Sequence, residues 1–183
     1  MEVVEKKFRD TPCSHKKYVK RLSEYISFLL KQGRILEAKH YFDELVKIKH
    51  NHKRTLVLGY ELSIKSFDNE GVFNFDKLLI EQKYNEQELL GLRLTYYYSV
   101  HNTKAFEQLA QYIFKNLSLK MELLNKILPM VVQKKQYGSI AALCTYLRNN
   151  KMKLSPQVER SIRQVVLQKL VDVLSEVTKC PLS

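Results

Sequence analysis

Apolar side chains recur at a helical spacing through residues 18–49. Leu22 and Ile26 fall on one face of a helix, Gly33 interrupts the pattern, and the same spacing resumes through Phe42. Glycine adopts positive φ after a helix end at no steric cost, so Gly33 is the expected stop. The segment therefore predicts a helix, a tight turn and a second helix.

Similar interruptions follow along the chain, at residues 68–71, at Asn102 and at residues 136–138, with a spacing of about 34 to 36 residues from Gly33 onward. Four helix hairpins fit this rhythm. The first covers residues 18–49, and the other three pair 53–67 with 73–82, 86–101 with 104–115, and 119–135 with 139–149. A long final helix over residues 156–177 follows. The predicted fold class is all-α: an antiparallel helix-hairpin solenoid of about four hairpins plus a long C-terminal helix.

Side chains at several expected helix boundaries suit those positions. Asn85 and Glu88 have the spacing of a capping box, and Thr103 and Ser118 lie where helix N-caps are needed. Pro129 falls inside the first helix of the fourth hairpin, where it removes a backbone donor. We expect that helix to be kinked, or split with Pro129 restarting it.

The length of 183 residues suits a single hydrophobic core. Residues 1–14 precede the first helical pattern and are predicted to be an N-terminal extension that could be flexible. Residues 15–183 are predicted to form one helical-repeat domain, with residues 156–177 as its capping helix.

One segment resembles a known repeat family. GRILEAKHYFDEL, Gly33–Leu45, is similar to the second helix of tetratricopeptide and pentatricopeptide repeats, with Gly33, Ala38 and Phe42 at the small and aromatic packing positions. Residues 136–156 show a weaker version of the same pattern. The resemblance implies a superhelical fold that presents a binding surface. In the pentatricopeptide case it also implies single-stranded RNA, read one base per repeat.

The formal charge of +12 is unevenly distributed. Residues 1–54 carry 14 Lys and Arg against 7 Asp and Glu, residues 55–100 carry 4 against 7, and residues 101–183 carry 13 against 5. Clustered cations raise the local potential, which suits nucleic acid or an acidic protein partner equally.

Cationic residues concentrate near the expected junctions between hairpins. They are candidate contacts for nucleic acid or an acidic partner: Lys47, Lys49, His50, His52, Lys53, Arg54, Lys134, Lys135, Arg148, Lys151, Lys153, Arg160 and Arg163. The competing interpretation is that loops and helix C-termini favour cations through solvation and the helix dipole.

The final helix carries apolar residues around more of its circumference than one buried stripe requires. Ile162, Val166, Leu170 and Val173 are the candidate seam for a protein partner or for a homodimer through this helix. The alternative is a capping helix packed deeply against the fourth hairpin.

No pattern in the chain points to catalysis, a cofactor or a metal. Cys13, Cys144 and Cys180 lie far apart without CxxC spacing, and the five glycines form no phosphate-binding loop. His50 and His52 lie among cations that would repel a metal ion. We therefore expect a protein that is not an enzyme, with no cofactor.

The apolar stretches are too short to cross a bilayer, and we expect no membrane association. The first residues resemble neither a secretory nor a mitochondrial signal, which predicts a cytoplasmic or nuclear protein and leaves a mitochondrial location open. The leading hypothesis is a non-catalytic scaffold that mediates protein-protein interaction within a larger assembly. The alternative is an RNA- or DNA-binding module that uses the basic junctions.

Overall fold

A computed structural model describes residues 2–153 and 156–179 of the chain, with side chains over 3–153 and 156–175. Ten helices and no strands are present in these ranges, so the predicted all-helical class is confirmed. The helices are α1 Glu2–Arg9, α2 Tyr18–Lys31, α3 Ile35–Lys49, α4 Lys53–Lys65, α5 Asn69–Glu81, α6 Glu86–Ser99, α7 Thr103–Asn116, α8 Met121–Lys134, α9 Tyr137–Asn149 and α10 Pro156–Lys179.

Capping side chains account for the boundaries that the sequence pattern misplaced. Asn102, not Thr103, caps α7: its Oδ1 accepts from the Ala105 amide at 3.1 Å. The Asp68 carboxylate caps α5 by accepting from the Gly71 amide at 2.9 Å, and α5 therefore begins four residues earlier than predicted. These two helix starts thus follow local hydrogen bonds to Asx side chains.

The predicted cap at Asn85 is confirmed, because its Oδ1 accepts from the Glu88 amide at 3.1 Å. The predicted cap at Ser118 is wrong, since the N-cap position of α8 is Lys120. Pro129 lies within α8, which is one helix over Met121–Lys134, so the predicted split does not occur.

The hairpins repeat with a constant period. The second helix of each pair begins at Ile35, Asn69, Thr103 and Tyr137, and each start lies 34 residues after the one before. The buried residues repeat with the same step. In the first helices they are Leu22, Leu56, Leu90 and Leu124, and in the second helices Ala38, Val72, Phe106 and Ile140, followed by Leu45, Leu79, Ile113 and Leu147.

The turn inside each hairpin also repeats. A residue with left-handed backbone ends it, at Gly33 (φ 73°), Phe67 (57°), His101 (56°) and Lys135 (54°). At the first three turns the next amide donates five residues back, as Arg34 does to the Leu29 carbonyl at 3.0 Å. This is the Schellman arrangement, which terminates a helix by satisfying its last carbonyls. Only the first of the four turns uses the glycine that this geometry favours.

The chain divides into two compact units, Met1–Leu92 and Arg93–Ser183, and the division falls inside α6. The prediction of a single domain over residues 15–183 stays a prediction.

In the first unit, α1 packs against α2 although it lies in the predicted extension. Phe8 is buried, its ring stacked on Tyr25 at 4.7 Å between centroids and edge-on to Tyr41 at 5.3 Å. Further along, α4 and α5 cross closely at Gly59, where an added Cβ would lie 2.3 Å from the Phe75 ring. The first unit is thus held together by a cluster of buried aromatic and aliphatic side chains from α1 to α4, against which Phe75 of α5 packs.

In the second unit, α7 packs closely on α9, and α10 packs against α8 and α9. The rings of Phe114 and Tyr146 lie 5.8 Å apart, and the Tyr146 hydroxyl accepts from the Leu119 amide at 2.9 Å. This buried hydrogen bond ties the start of the fourth hairpin to its second helix.

The left-handed turns give a paired test of backbone strain. An added Cβ at Gly33 meets nothing within 4 Å, so Gly33→Ala should lower the free energy of unfolding by about 1 kcal/mol through positive φ alone. Phe67, which is 73% exposed at the same position of the next hairpin, should respond in the opposite sense. Phe67→Gly is expected to raise stability by about 0.5–1 kcal/mol. Urea denaturation followed by circular dichroism measures both changes. If the two substitutions changed the free energy of unfolding in the same direction, strain at positive φ would not explain them.

Candidate binding surfaces

The thirteen cationic candidates divide between the two units. Lys47 to Arg54 lie in the first unit, where α3 ends and α4 begins, and the other seven lie in the second. All are exposed except Lys134, which is half-buried. The basic junctions are therefore present at the surface of each unit considered separately.

Helix dipoles explain some of these positions and not others. Lys47 and Lys49 occupy the last turn of α3, and Lys134 and Arg148 the last turns of α8 and α9, where cations are favoured. Lys53 and Arg54 occupy the first turn of α4, which contains no acidic residue. Cations at a helix N-terminus are disfavoured by the same dipole. These two need an explanation other than helix stabilisation.

A basic cleft lies between α2 and α4 in the first unit, with a volume of about 470 Å³. Three of the predicted residues line it: Lys49, His52 and Arg54. We call this the α2–α4 cleft; its remaining lining residues are Lys16, Val19, Lys20, Ser23, Glu24 and Thr55.

Lys16 and Lys20 are the residues that sequence reasoning missed. They come before and within the first turns of α2, which also lacks an acidic residue in its first turn. A signal for Lys20 was present in the repeat itself, because Arg54 follows it by one 34-residue step. Two helices that start with cations and pack side by side bring those cations together.

Hydrogen bonds fix part of this cleft. The Arg54 guanidinium donates to the Ser27 hydroxyl at 2.5 Å, which draws α4 toward α2. His52 caps α4, its Nδ1 accepting from the Arg54 amide at 3.3 Å. Glu24 is the acidic residue of the lining; it lies 3.1 Å from Arg21 and 4.0 Å from Lys20.

The Tyr18 hydroxyl ties the first turn of α2 to α3. It donates to the Glu44 carboxylate at 2.5 Å. Burial, reinforced by that carboxylate, raises the pKa of Tyr18 well above its usual range. The phenol therefore stays neutral and adds no negative charge beside the cleft.

In the second unit, several candidates contact other side chains. Lys134 lies over the Tyr98 ring, 4.9 Å from its centroid, and 3.2 Å from Nδ1 of His101. Arg163 pairs with Glu159 at 2.5 Å along α10. Lys134 thus packs within its own unit, and two clefts of that unit are lined by fewer cations than the α2–α4 cleft: one by Lys135 and Lys169, the other by Lys115.

The candidate seam on α10 divides between the interior and the surface. Ile162 is buried, Val166 is half-buried, and Leu170 and Val173 are exposed. Ile162 and Val165 are buried where the helix packs on α8 and α9, whereas residues 167–175 are all exposed and include four apolar side chains along one face of the helix. They are Leu167, Leu170, Val171 and Leu174, at the i, i+3, i+4, i+7 spacing of one helix face. We call these four residues the α10 stripe.

Within residues 3–153 and 156–175, no group of three or more His, Cys, Asp or Glu side chains could hold a metal ion. Cys13 and Cys144 are free and exposed, and Cys180 lies outside the described residues. No helix in the described part of the chain is long and apolar enough to cross a membrane.

Comparison of the chain with models of protein families, with curated proteins and with solved structures finds no match. The resemblance to tetratricopeptide repeats therefore rests on the 34-residue pattern of this chain itself.

The two environments on α10 can be separated by mutation. Ile162→Ala should lower the free energy of unfolding by about 2–4 kcal/mol, because it leaves a cavity against α8 and α9. Leu170→Ala, at a side chain 55% exposed, should change it by less than about 0.5 kcal/mol. Chemical denaturation measures both values. A cost at Leu170 equal to that at Ile162 would show that the stripe is part of the core.

Proposed function

We propose that the chain is a non-catalytic helical-repeat scaffold that binds another protein through the α10 stripe. The observation that carries this proposal is the exposure of its four large apolar side chains on consecutive turns, between 55% and 63% each. Contiguous exposed apolar groups are uncommon on monomeric soluble proteins and are typical of interaction sites.

The packing of α10 supports the same proposal. Ile162 and Val165 are buried in the second unit and anchor the first half of α10. The apolar side chains from Leu167 to Leu174 follow this anchor along the helix and are exposed. Every described side chain of α10 from residue 167 to residue 175 is exposed, so the stripe lies on the part of the helix beyond this anchor and is open to a partner. The apolar face of a partner helix or groove would fit the i, i+3, i+4, i+7 spacing.

We further propose a tetratricopeptide-like solenoid arrangement for the four hairpins. Support comes from the exact 34-residue recurrence of helix starts, buried positions and left-handed turns. Repeats of one length with equivalent buried positions are suited to stacking on their neighbours.

Nucleic-acid binding is the second candidate function. The observation that favours it is the α2–α4 cleft, where Lys49 and Arg54 join two lysines from α2. Cations gathered in one cleft can neutralise phosphate charge and release counterions, which gives binding that weakens steeply with salt.

The protein-partner proposal is tested with paired variants of α10. Leu167→Asp with Leu170→Asp places two charges in the stripe, and should reduce capture of the native protein partner on the order of tenfold or more. The measurement is co-purification from the native cell, with and without nuclease, quantified by mass spectrometry. Capture that survives nuclease and fails in the variant is the expected result.

The matched control is Gln157→Asp with Gln164→Asp, which adds the same charge at two exposed positions of the same helix. It should leave capture and helix content unchanged. Light scattering of wild type and variant shows whether the bound protein is a second copy of the chain. Capture lost equally in both variants, or retained in both, would rule out the α10 stripe as the interface.

A further inference from the structure

The α2–α4 cleft gathers more positive charge than helix packing requires. Lys16, Lys20, Lys49 and Arg54 line one cleft together with a single carboxylate, Glu24, which leaves a formal surplus of three positive charges. Like charges brought together repel one another and gain nothing from the fold unless a counter-charge is bound.

The helix dipoles add to this surplus. Lys20 lies in the first turn of α2 and Arg54 in the first turn of α4, and neither turn contains an acidic residue. The positive ends of both helices therefore contribute to the same region as the side chains. Helix stability would favour acids at these positions, so the observed cations are best explained by an anionic ligand.

The size and chemistry of the cleft define the ligand. A volume of about 470 Å³ exceeds what one phosphate group fills, and a surplus of three charges exceeds what one phosphodiester carries. The described lining residues include no Phe, Tyr or Trp on which a base could stack. Buried Ser23 and Thr55 add hydroxyl groups to the lining.

We propose that the α2–α4 cleft binds two neighbouring phosphate groups, through Lys16, Lys20, Lys49 and Arg54. This inference is independent of the α10 stripe. It deepens the second candidate function by naming the ligand chemistry and the residues that bind it. The phosphates belong either to the backbone of a single-stranded nucleic acid or to a small molecule with a pyrophosphate group, and the experiment distinguishes these sources.

The probes are inorganic pyrophosphate and orthophosphate, by isothermal titration calorimetry, and a fluorescent oligo(U) of about ten nucleotides, by anisotropy at about 50 mM salt. The cleft variant is Lys20→Ala with Lys49→Ala. Its affinity for pyrophosphate is expected to fall about tenfold for each lysine removed, since each charge-assisted hydrogen bond to phosphate is lost. Orthophosphate should bind wild type more weakly than pyrophosphate does.

A closely matched control lies in the same unit. Lys77 pairs with Glu81 at 4.0 Å, as Lys20 pairs with Glu24 at 4.0 Å, and the two lysine side chains are 78% and 76% exposed. Lys65 ends α4 as Lys49 ends α3. Lys77→Ala with Lys65→Ala therefore removes the same charge from two helical lysines outside the cleft, and should leave both affinities within about twofold of wild type.

The outcomes separate cleanly. Pyrophosphate binding that is lost only in the cleft variant supports the proposal. If the cleft variant also loses oligo(U) binding, the phosphates belong to a nucleic acid. If wild type does not bind oligo(U), they belong to a small molecule. Equal loss in the cleft and control variants, orthophosphate binding as tight as pyrophosphate, or preference for an acidic peptide such as oligo-Glu would overturn it. Thermal unfolding of each variant, expected to match wild type, shows that a lost signal is not lost folding. None of these results bears on α10, so the protein-partner proposal is decided separately.

Discussion

The packing of apolar side chains between neighbouring helices is the interaction on which each unit depends. Every hairpin buries a leucine of its first helix, at Leu22, Leu56, Leu90 or Leu124, and an apolar pair of its second helix at matching positions. A single amphipathic helix of this length is marginal in water. The constant step of 34 residues is therefore consistent with a packing constraint, because a residue inserted within a helix would rotate the side chains beyond it by about 100° away from their neighbours.

Several charged side chains at the surface lie where they do not stabilise their helices. Cations at the ends of α3 and α9 follow the helix dipole, whereas Lys20 and Arg54 oppose it at the starts of α2 and α4. Each such placement costs a few tenths of a kcal/mol, which a well-packed core tolerates. The two cations that oppose the helix dipoles, Lys20 and Arg54, are thus more informative about function than the net charge of +12 is.

The last helix, α10, has apolar residues both in a buried part and in an exposed part. Ile162 and Val165 anchor α10 to its unit, while Leu167 and Leu170 face away from that contact. Because 3.6 residues make a turn, apolar residues spread around a long helix divide between an inner and an outer face. The helix thus packs on α8 and α9, and its exposed part is the surface that we propose for a further contact.

Periodicity and turn residues act over a few positions at a time, and they were enough to predict the helical class and most of the helix limits. The predicted starts of α5 and α7 were wrong. Asp68 and Asn102, each one residue before the observed start of its helix, supply the caps. Local patterns could not show which cations share a cleft or which apolar residues of α10 are buried. Both depend on how helices distant in sequence pack together, as when Lys16 and Lys20 meet Arg54, and local patterns do not contain that geometry.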